Sequence, residues 1–410
     1  MFLRRTIARN PELIRAAVEL HQAGAIPPNT FVFDADAFTA NAAVLRAAAE
    51  REGLELYFMT KQHGRNPDLF GRIVRPGAHE TVAVAMEDAR ILHRAGIALG
   101  HVGNLVQTPR GELEKVIGDY RPEVISVFTL EKARQVDAAA AARGVVQPVL
   151  LRVHGPDDIL FPGMEGGFRL EDLGETLAAL RGLENVRVAG VTSFPVLRYD
   201  AEGGTPVATP NLGTLSRARD RIESEGIEIE QVNAPGNTAA GTMAFLRGAG
   251  ATHVEPGSAL TASTTFHLYD DELPEQPAMV YLTEVAHRWA GKAYVYGGGF
   301  FVDDPPVPLR EGFRREALVG ASADDIFARR LRWEGIGPEG AGSFASIDYH
   351  GILSYDGPPP AVGESVVFGF RAQLFMTRAY VAVVEGLGRG VPRLVGVWDW
   401  AAHRIGGGVE

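Results

Sequence analysis

Apolar and polar positions along this chain fall into two textures. From about residue 56 to 255, short apolar runs alternate with amphipathic stretches. Strands are expected at 56–61, 79–84, 99–103, 124–128, 148–154, 186–193, 230–234 and 253–255. Helices are expected between them, at 86–95, 131–142, 171–180, 214–225 and 238–248. A short apolar run bounded by turn residues reads as a buried strand, and helical periodicity reads as an amphipathic helix. Eight strands alternating with helices point to an α/β fold, a (β/α)8 barrel. An open doubly wound sheet is the alternative, because the strand count alone does not prove closure.

The flanks differ. Residues 10–23 read as an amphipathic helix with Asn10 as cap and Pro11 in the first turn. Pro27-Pro28 ends that region, a short strand follows at 31–33, and an alanine-rich helix runs over 35–51. Beyond about residue 275, strands are expected at 280–287, 292–296, 365–370 and 380–385, with Gly and Pro between them. The expected domains are an N-terminal helical extension (1–30), a barrel (31–274) and a mostly β C-terminal domain (275–410). Gly297-Gly298-Gly299 could let a backbone approach a ligand, although such a run is more often a turn.

Composition narrows the chemistry. With 46% hydrophobic and 22% charged residues, the 410-residue chain is ordinary globular protein. A formal charge of -11 gives no support for nucleic-acid binding or an anionic membrane surface. The absence of cysteine excludes disulfides, thiolate metal sites and a cysteine nucleophile. Met1-Phe2-Leu3-Arg4-Arg5 lacks the apolar stretch of a signal peptide, and no apolar run is long enough to span a bilayer. A cytoplasmic protein is the expectation.

In a barrel, the carboxyl ends of the strands face one site. Lys61 ends the first strand, and Arg152 and His154 lie on the fifth. Ser193-Phe194-Pro195 follows the sixth, Asn233-Ala234-Pro235-Gly236-Asn237-Thr238 the seventh, and Glu255-Pro256-Gly257-Ser258 the eighth. A strand-end lysine is often only solvated, but it is also the residue that forms Schiff bases. The last two segments carry the small residues, hydroxyls and free N–H groups that a phosphate needs, though each alone reads as a capped turn. A lysine, a phosphate cradle and an acid in one barrel mouth fit pyridoxal 5′-phosphate. His63, His101 and His154 lack ligand spacing for a metal, so no metal is expected.

The chain resembles the fold-type III pyridoxal-phosphate enzymes, the alanine-racemase and diaminopimelate-decarboxylase group, and within it the YhfX-like branch. The resemblance covers about residues 30–400. Its most specific pieces are Tyr57-Phe58-Met59-Thr60-Lys61-Gln62, Gly190-Val191-Thr192-Ser193-Phe194-Pro195, Asn233-Ala234-Pro235-Gly236-Asn237 and Glu255-Pro256-Gly257-Ser258. It implies that Lys61 is the Schiff-base lysine and one of two racemase bases. It implies that Arg65 replaces a phosphate-contacting tyrosine and that Phe194 stacks on the cofactor ring. Asn237, Thr238, Gly257 and Ser258 fall on the phosphate loops, and Asn233, Gly236 and His154 line the cofactor pocket. A homodimer is implied, with each site completed by the partner's C-terminal domain.

The chain departs from the family at three places. Glu255 stands where alanine racemases have arginine and decarboxylases have glutamate; a carboxylate there favours a protonated pyridinium. The racemase Gly-Met-x-Arg motif appears as Gly163-Met164-Glu165-Gly166, without its arginine, so the substrate carboxylate must be recognised elsewhere. The decarboxylase cysteine is replaced by the segment Ser346-Ile347-Asp348-Tyr349-His350. Tyr349 or His350 is the candidate second base, with Asp348 to orient it. Arg371 and Gln373 are candidates for carboxylate or phosphate binding. The preferred expectation is an amino-acid racemase or epimerase. The alternatives are a decarboxylase on the same scaffold and a non-catalytic pyridoxal-phosphate carrier, against which the second domain argues.

Overall fold

The structure is a computed structural model that describes residues 2–200, 204–297, 316–335, 349–371 and 374–407. The chain divides into two compact units, Ala43–Lys61 with Phe70–Ala259, and Met1–Ala42 with Gln62–Leu69 and Leu260–Glu410.

The first of these units is a closed parallel barrel. Its strands are Glu55–Leu56 continued by Phe58–Met59, then Thr81–Ala83, His101–Val102, Val124–Val127, Gln147–His154, Val186–Thr192, Gln231–Asn233 and His253–Val254, each pairing with the next. Closure happens at Tyr57. Its N–H donates to the carbonyl of Val254 on one side, while the N–H of Phe58 donates to the carbonyl of Glu80 on the other. One strand thus changes neighbours in mid-run and joins first to last, which excludes the open sheet. Helices follow the strands with ordinary end signals. Leu130–Arg143 begins where the Thr129 hydroxyl accepts from the Lys132 N–H, and it ends at Gly144 in left-handed conformation.

The floor of the barrel is polar. Gln231 donates to the Tyr57 hydroxyl at 2.9 Å, and His253 lies 5.4 Å from the Tyr57 ring. Burial pushes the Tyr57 phenol well above its ordinary value, with Glu123 adding to the effect. Burial also pushes His253 down to about 4, helped by the nearby His101, so its imidazole is neutral at neutral pH.

The other unit is built on a ten-stranded sheet. Six of its strands form a ring: Lys292–Tyr296, His350–Ser354, Arg330–Gly335, Glu316–Gly320, Ser365–Phe368 and Met279–Trp289, the last pairing back to the first. Thr30–Asp34 pairs antiparallel with Met279–Trp289 and parallel with Tyr380–Glu385. The short strand at 31–33, expected within the barrel region, is therefore part of the β sheet. Its five residues are all buried, as a strand covered on both faces requires. The helix Pro11–Gln22 packs Leu13, Ile14, Ala17 and Val18 into a core with Val32, Val280, Leu282 and Val384. Asn10 caps it, accepting from Leu13 N–H at 3.4 Å and donating to Asp34 at 2.8 Å. Among the described residues, no helix is long and apolar enough to cross a membrane.

Candidate active site

The carboxyl ends of the barrel strands gather an anion, a cation and a small-residue loop. Glu255, directly after His253–Val254, has a side chain with no solvent exposure. Its Oε1 accepts from His101 Nδ1 at 2.6 Å and from Asn233 Nδ2 at 2.9 Å. Its Oε2 accepts from Asn104 Nδ2 at 2.5 Å. Each partner is held in turn: His101 Nε2 lies 2.6 Å from the Ser126 hydroxyl, and Asn233 Oδ1 accepts from Thr192 at 3.0 Å. Burying a carboxylate costs several kcal/mol unless donors surround it. Here three donors do so, two from the end of His101–Val102 and one from the end of Gln231–Asn233.

Lys61, half-buried, follows the strand Phe58–Met59 after Thr60 and opens a single helical turn, Lys61–His63. The chain after Gln231–Asn233 turns through Gly236, at φ 124°, and Asn237, at φ 47°. Only glycine adopts the first value without strain. A Cβ on Gly236 would sit 3.5 Å from the Phe194 ring and 3.4 Å from the Val196 nitrogen, so two of the expected site residues lie against each other. The Thr238 hydroxyl is buried and has no hydrogen-bond partner among the described residues. Gly257 is buried and Ser258 opens a helical turn over Ser258–Thr261.

Two groups on the fifth strand complete the mouth. Alternation along Gln147–His154 puts Leu150, Arg152 and His154 on one face, and Leu150 packs inside the barrel with Val124 and Ala189. His154 is half-buried. Arg152 is 2% exposed; its guanidinium lies over the Phe128 ring at 4.8 Å and donates to the carbonyls of Asn104 at 3.3 Å and Met164 at 2.7 Å.

In the β unit, Arg65 donates to the Trp400 carbonyl at 2.8 Å. Tyr349 is 63% exposed, with Arg378 over its ring at 5.5 Å. His350 starts the strand His350–Ser354, with its ring 5.0 Å from that of His287. Burial and then His287 hold His350 below its usual value. Arg371 is half-buried. Gln373 and Asp348, both candidates from the sequence, lie outside the described residues, as do Gly298 and Gly299.

Sequence reasoning therefore had Glu255 and Asn233 but not their link. It weighed His101 only as a metal ligand. The structure makes it a partner of Glu255 instead, and among the described residues no group of three or more His, Cys, Asp and Glu could hold a metal.

Residues 33–264 match the alanine racemase N-terminal domain, and residues 280–394 match the YhfX-like C-terminal domain. The chain belongs to the alanine-racemase-like family. Within this family it is 39% identical to the uncharacterized protein YhfX of Escherichia coli (strain K12) over 407 residues, 99% of this chain and 100% of that one. Solved structures share the fold. D-threonine aldolase from Filomicrobium marinum aligns with a TM-score of 0.63 at 18% identity, covering 92% of this chain and 96% of that one. Alanine racemase from Clostridium difficile 630, in complex with cycloserine, gives 0.59 at 16%, covering 91% and 98%. D-threo-3-hydroxyaspartate dehydratase from Delftia sp. HT23 gives 0.62 at 15%, covering 90% and 97%. At these identities the likeness is one of fold. Alanine-racemase-like enzymes generally use pyridoxal 5′-phosphate, and these three carry different activities on one scaffold.

Proposed function

We propose that this chain is a pyridoxal 5′-phosphate-dependent racemase or epimerase of an amino acid. The observation that carries the cofactor in this reading is Glu255, a carboxylate with no solvent exposure at the barrel mouth, held by three donors, while the absence of cysteine favours a racemase over a decarboxylase. Such an anion calls for a cationic partner, and a protonated pyridine nitrogen is one. The remaining residues fit the same group. The orphaned Thr238 hydroxyl and the tight turn at Gly236 suit a phosphate, and Lys61 stands at the end of the first strand.

When bound, the cofactor draws off the electrons left on the substrate α-carbon as its proton departs. Lys61 Nζ is the covalent anchor and one proton-transfer group. Glu255 holds a proton at the ring nitrogen by charge and hydrogen bond. Asn237, Thr238, Gly257 and Ser258 bind the phosphate, and the Phe194 face covers the ring. Tyr349 or His350 supplies the second proton-transfer group; a depressed His350 is an imidazole ready to accept a proton at neutral pH. Arg65, Arg371 and Gln373 bind phosphate or carboxylate. The active form in this reading is a homodimer.

One observation favours a second reading. Glu255, in place of arginine, matches the decarboxylases, while the absence of cysteine weighs against them. The test is incubation of the cofactor-loaded protein with a panel of amino acids in deuterium oxide. Mass spectrometry should show α-deuteration without loss of carbon dioxide. Borohydride should fix the cofactor to the peptide that carries Lys61, and Lys61→Ala should abolish that attachment. Carbon dioxide release would establish the decarboxylase. A label on Lys115 or Lys292 would sink the assignment of the mouth.

A further inference from the structure

Arg152 is a buried cation with no ion pair among the described residues. Buried guanidinium groups are ordinarily paired with carboxylates, because an uncompensated charge away from water is costly. Among the described residues, Arg152 meets only two backbone carbonyls and the Phe128 face. A guanidinium has five N–H donors, and two hydrogen bonds leave capacity for a bidentate oxyanion. Burial lowers its pKa only to about 10, so the group stays charged at neutral pH.

Its neighbours say where that oxyanion would lie. Asn104 touches both charges of the mouth: its amide donates to Glu255 at 2.5 Å and its carbonyl accepts from Arg152 at 3.3 Å. Glu255 and Arg152 form no ion pair with each other, although one residue bridges them. Two opposite buried charges joined through one residue, but not to each other, suit a ligand with a cationic nitrogen and an anionic oxygen a few atoms apart. The second neighbour is Met164, whose carbonyl takes the other hydrogen bond. Met164 belongs to the segment Gly163-Met164-Glu165-Gly166, where racemases carry an arginine and this chain does not. The backbone there runs close over the strand, since a Cβ on Gly167 would come 2.7 Å from the Arg152 carbonyl oxygen. An arginine missing from the loop is thus matched by one rising from the strand below it.

We infer that Arg152 is the oxyanion-binding residue of this site, standing in for the absent loop arginine. The inference rests on the functional reading above. The oxyanion is either the carboxylate of the substrate or the ring oxygen of the cofactor, and these two sources are separable.

The experiment compares the parent protein with Arg152→Gln and Arg152→Lys. Pyridoxal 5′-phosphate is titrated into cofactor-free protein, followed by the absorption of the bound cofactor. Propionate, a carboxylate that cannot react, is titrated by calorimetry with and without cofactor. Thermal melting of the cofactor-free proteins is recorded alongside. Loss of a charged hydrogen bond should weaken binding roughly ten- to hundredfold in Arg152→Gln, with partial recovery in Arg152→Lys. A loss confined to propionate assigns the substrate carboxylate; a loss in cofactor affinity with a displaced absorption band assigns the ring oxygen. The cofactor-free Arg152→Gln protein should melt no lower than the parent, since it gives up an unpaired buried charge. Parent-like affinity for both probes in a folded Arg152→Gln protein overturns the inference. If that variant does not fold, Arg152 is a structural residue, and parent-like binding by Arg152→Lys then overturns it equally. A parent protein that takes up no cofactor sinks the functional reading instead, while the propionate arm still decides the arginine.

Discussion

Glu255 is a fully buried carboxylate on which the proposed cofactor reading turns. Its three donors come from His101, Asn104 and Asn233, none of them cationic by necessity. Glu255→Gln keeps the shape and removes the charge. It also turns one acceptor into an N–H₂ group facing a donor, which the Asn104 amide can relieve by flipping. The expected cost in stability is therefore modest, about 1–2 kcal/mol by urea denaturation. The expected effect on α-proton exchange is larger, on the order of a hundredfold, because an electrostatic contact present in the transition state is lost. Parent-like exchange rates in folded Glu255→Gln would show that the glutamate merely ends the last strand. Glu255, Lys61 and Thr238 were legible in the sequence because each sits in a short local pattern of turn residues. The role of His101 was not, since its partner Glu255 lies 154 residues away and only the barrel brings it near, and Arg152 was placed at the mouth without its contacts to Asn104 and Met164.

At the scale of elements, strand pairs explain which glycines and histidines the chain tolerates. Gly190 on Val186–Thr192 lies opposite Gln231. A Cβ there would stand 2.7 Å from the Gln231 carbonyl carbon and closer still to its oxygen, both backbone atoms that cannot step aside. Gly190→Ala should therefore destabilise the barrel by about 1–3 kcal/mol, read as a lower urea midpoint at unchanged slope. The strand His253–Val254 carries the other element-scale prediction. His253 is neutral in the fold, with its proton affinity pushed down to about 4 against an ordinary value of 6.5. The unfolded chain then binds more protons between these values, so stability rises with pH across that window and is lost as pH falls from about 6.5 toward 4. The full effect is on the order of 3 kcal/mol. His253→Asn should flatten the urea midpoint over that window; an unchanged slope would show that other groups govern acid sensitivity. Strand existence was readable from apolar runs, as Lys292–Tyr296 and Tyr380–Glu385 show. The strand Arg330–Gly335 was not singled out, although charged residues there alternate with Leu331 and Trp333 as in a half-buried strand; the run is short and only two of its residues are large and apolar.

At the scale of the whole molecule, a barrel and a mostly β domain were foreseeable in kind, while closure was left open and the strand at 30–34 was assigned to the barrel region instead of the β sheet. Its partners lie some 250 and 350 residues away, so no local pattern could assign it. The same scale bears the last prediction, which concerns Tyr349. A phenol that transfers protons works best when water is excluded, yet Tyr349 is 63% exposed in the single chain. The dimer reading accounts for this: a second copy would shelter Tyr349 and receive its hydroxyl. In a two-fold dimer each site would then combine Lys61 of one chain with Tyr349 of the other. Lys61→Ala and Tyr349→Phe proteins, each deficient alone, are mixed under conditions that exchange subunits. Random pairing gives heterodimers in which one site is doubly altered and the other intact, so α-proton exchange should recover to about a quarter of the parent rate. If both groups of a site came from one chain, every site would keep one lesion and no recovery would appear. The same null result with His350→Ala in place of Tyr349→Phe, in a protein that sediments as a dimer, would remove this strand from the partner's site altogether.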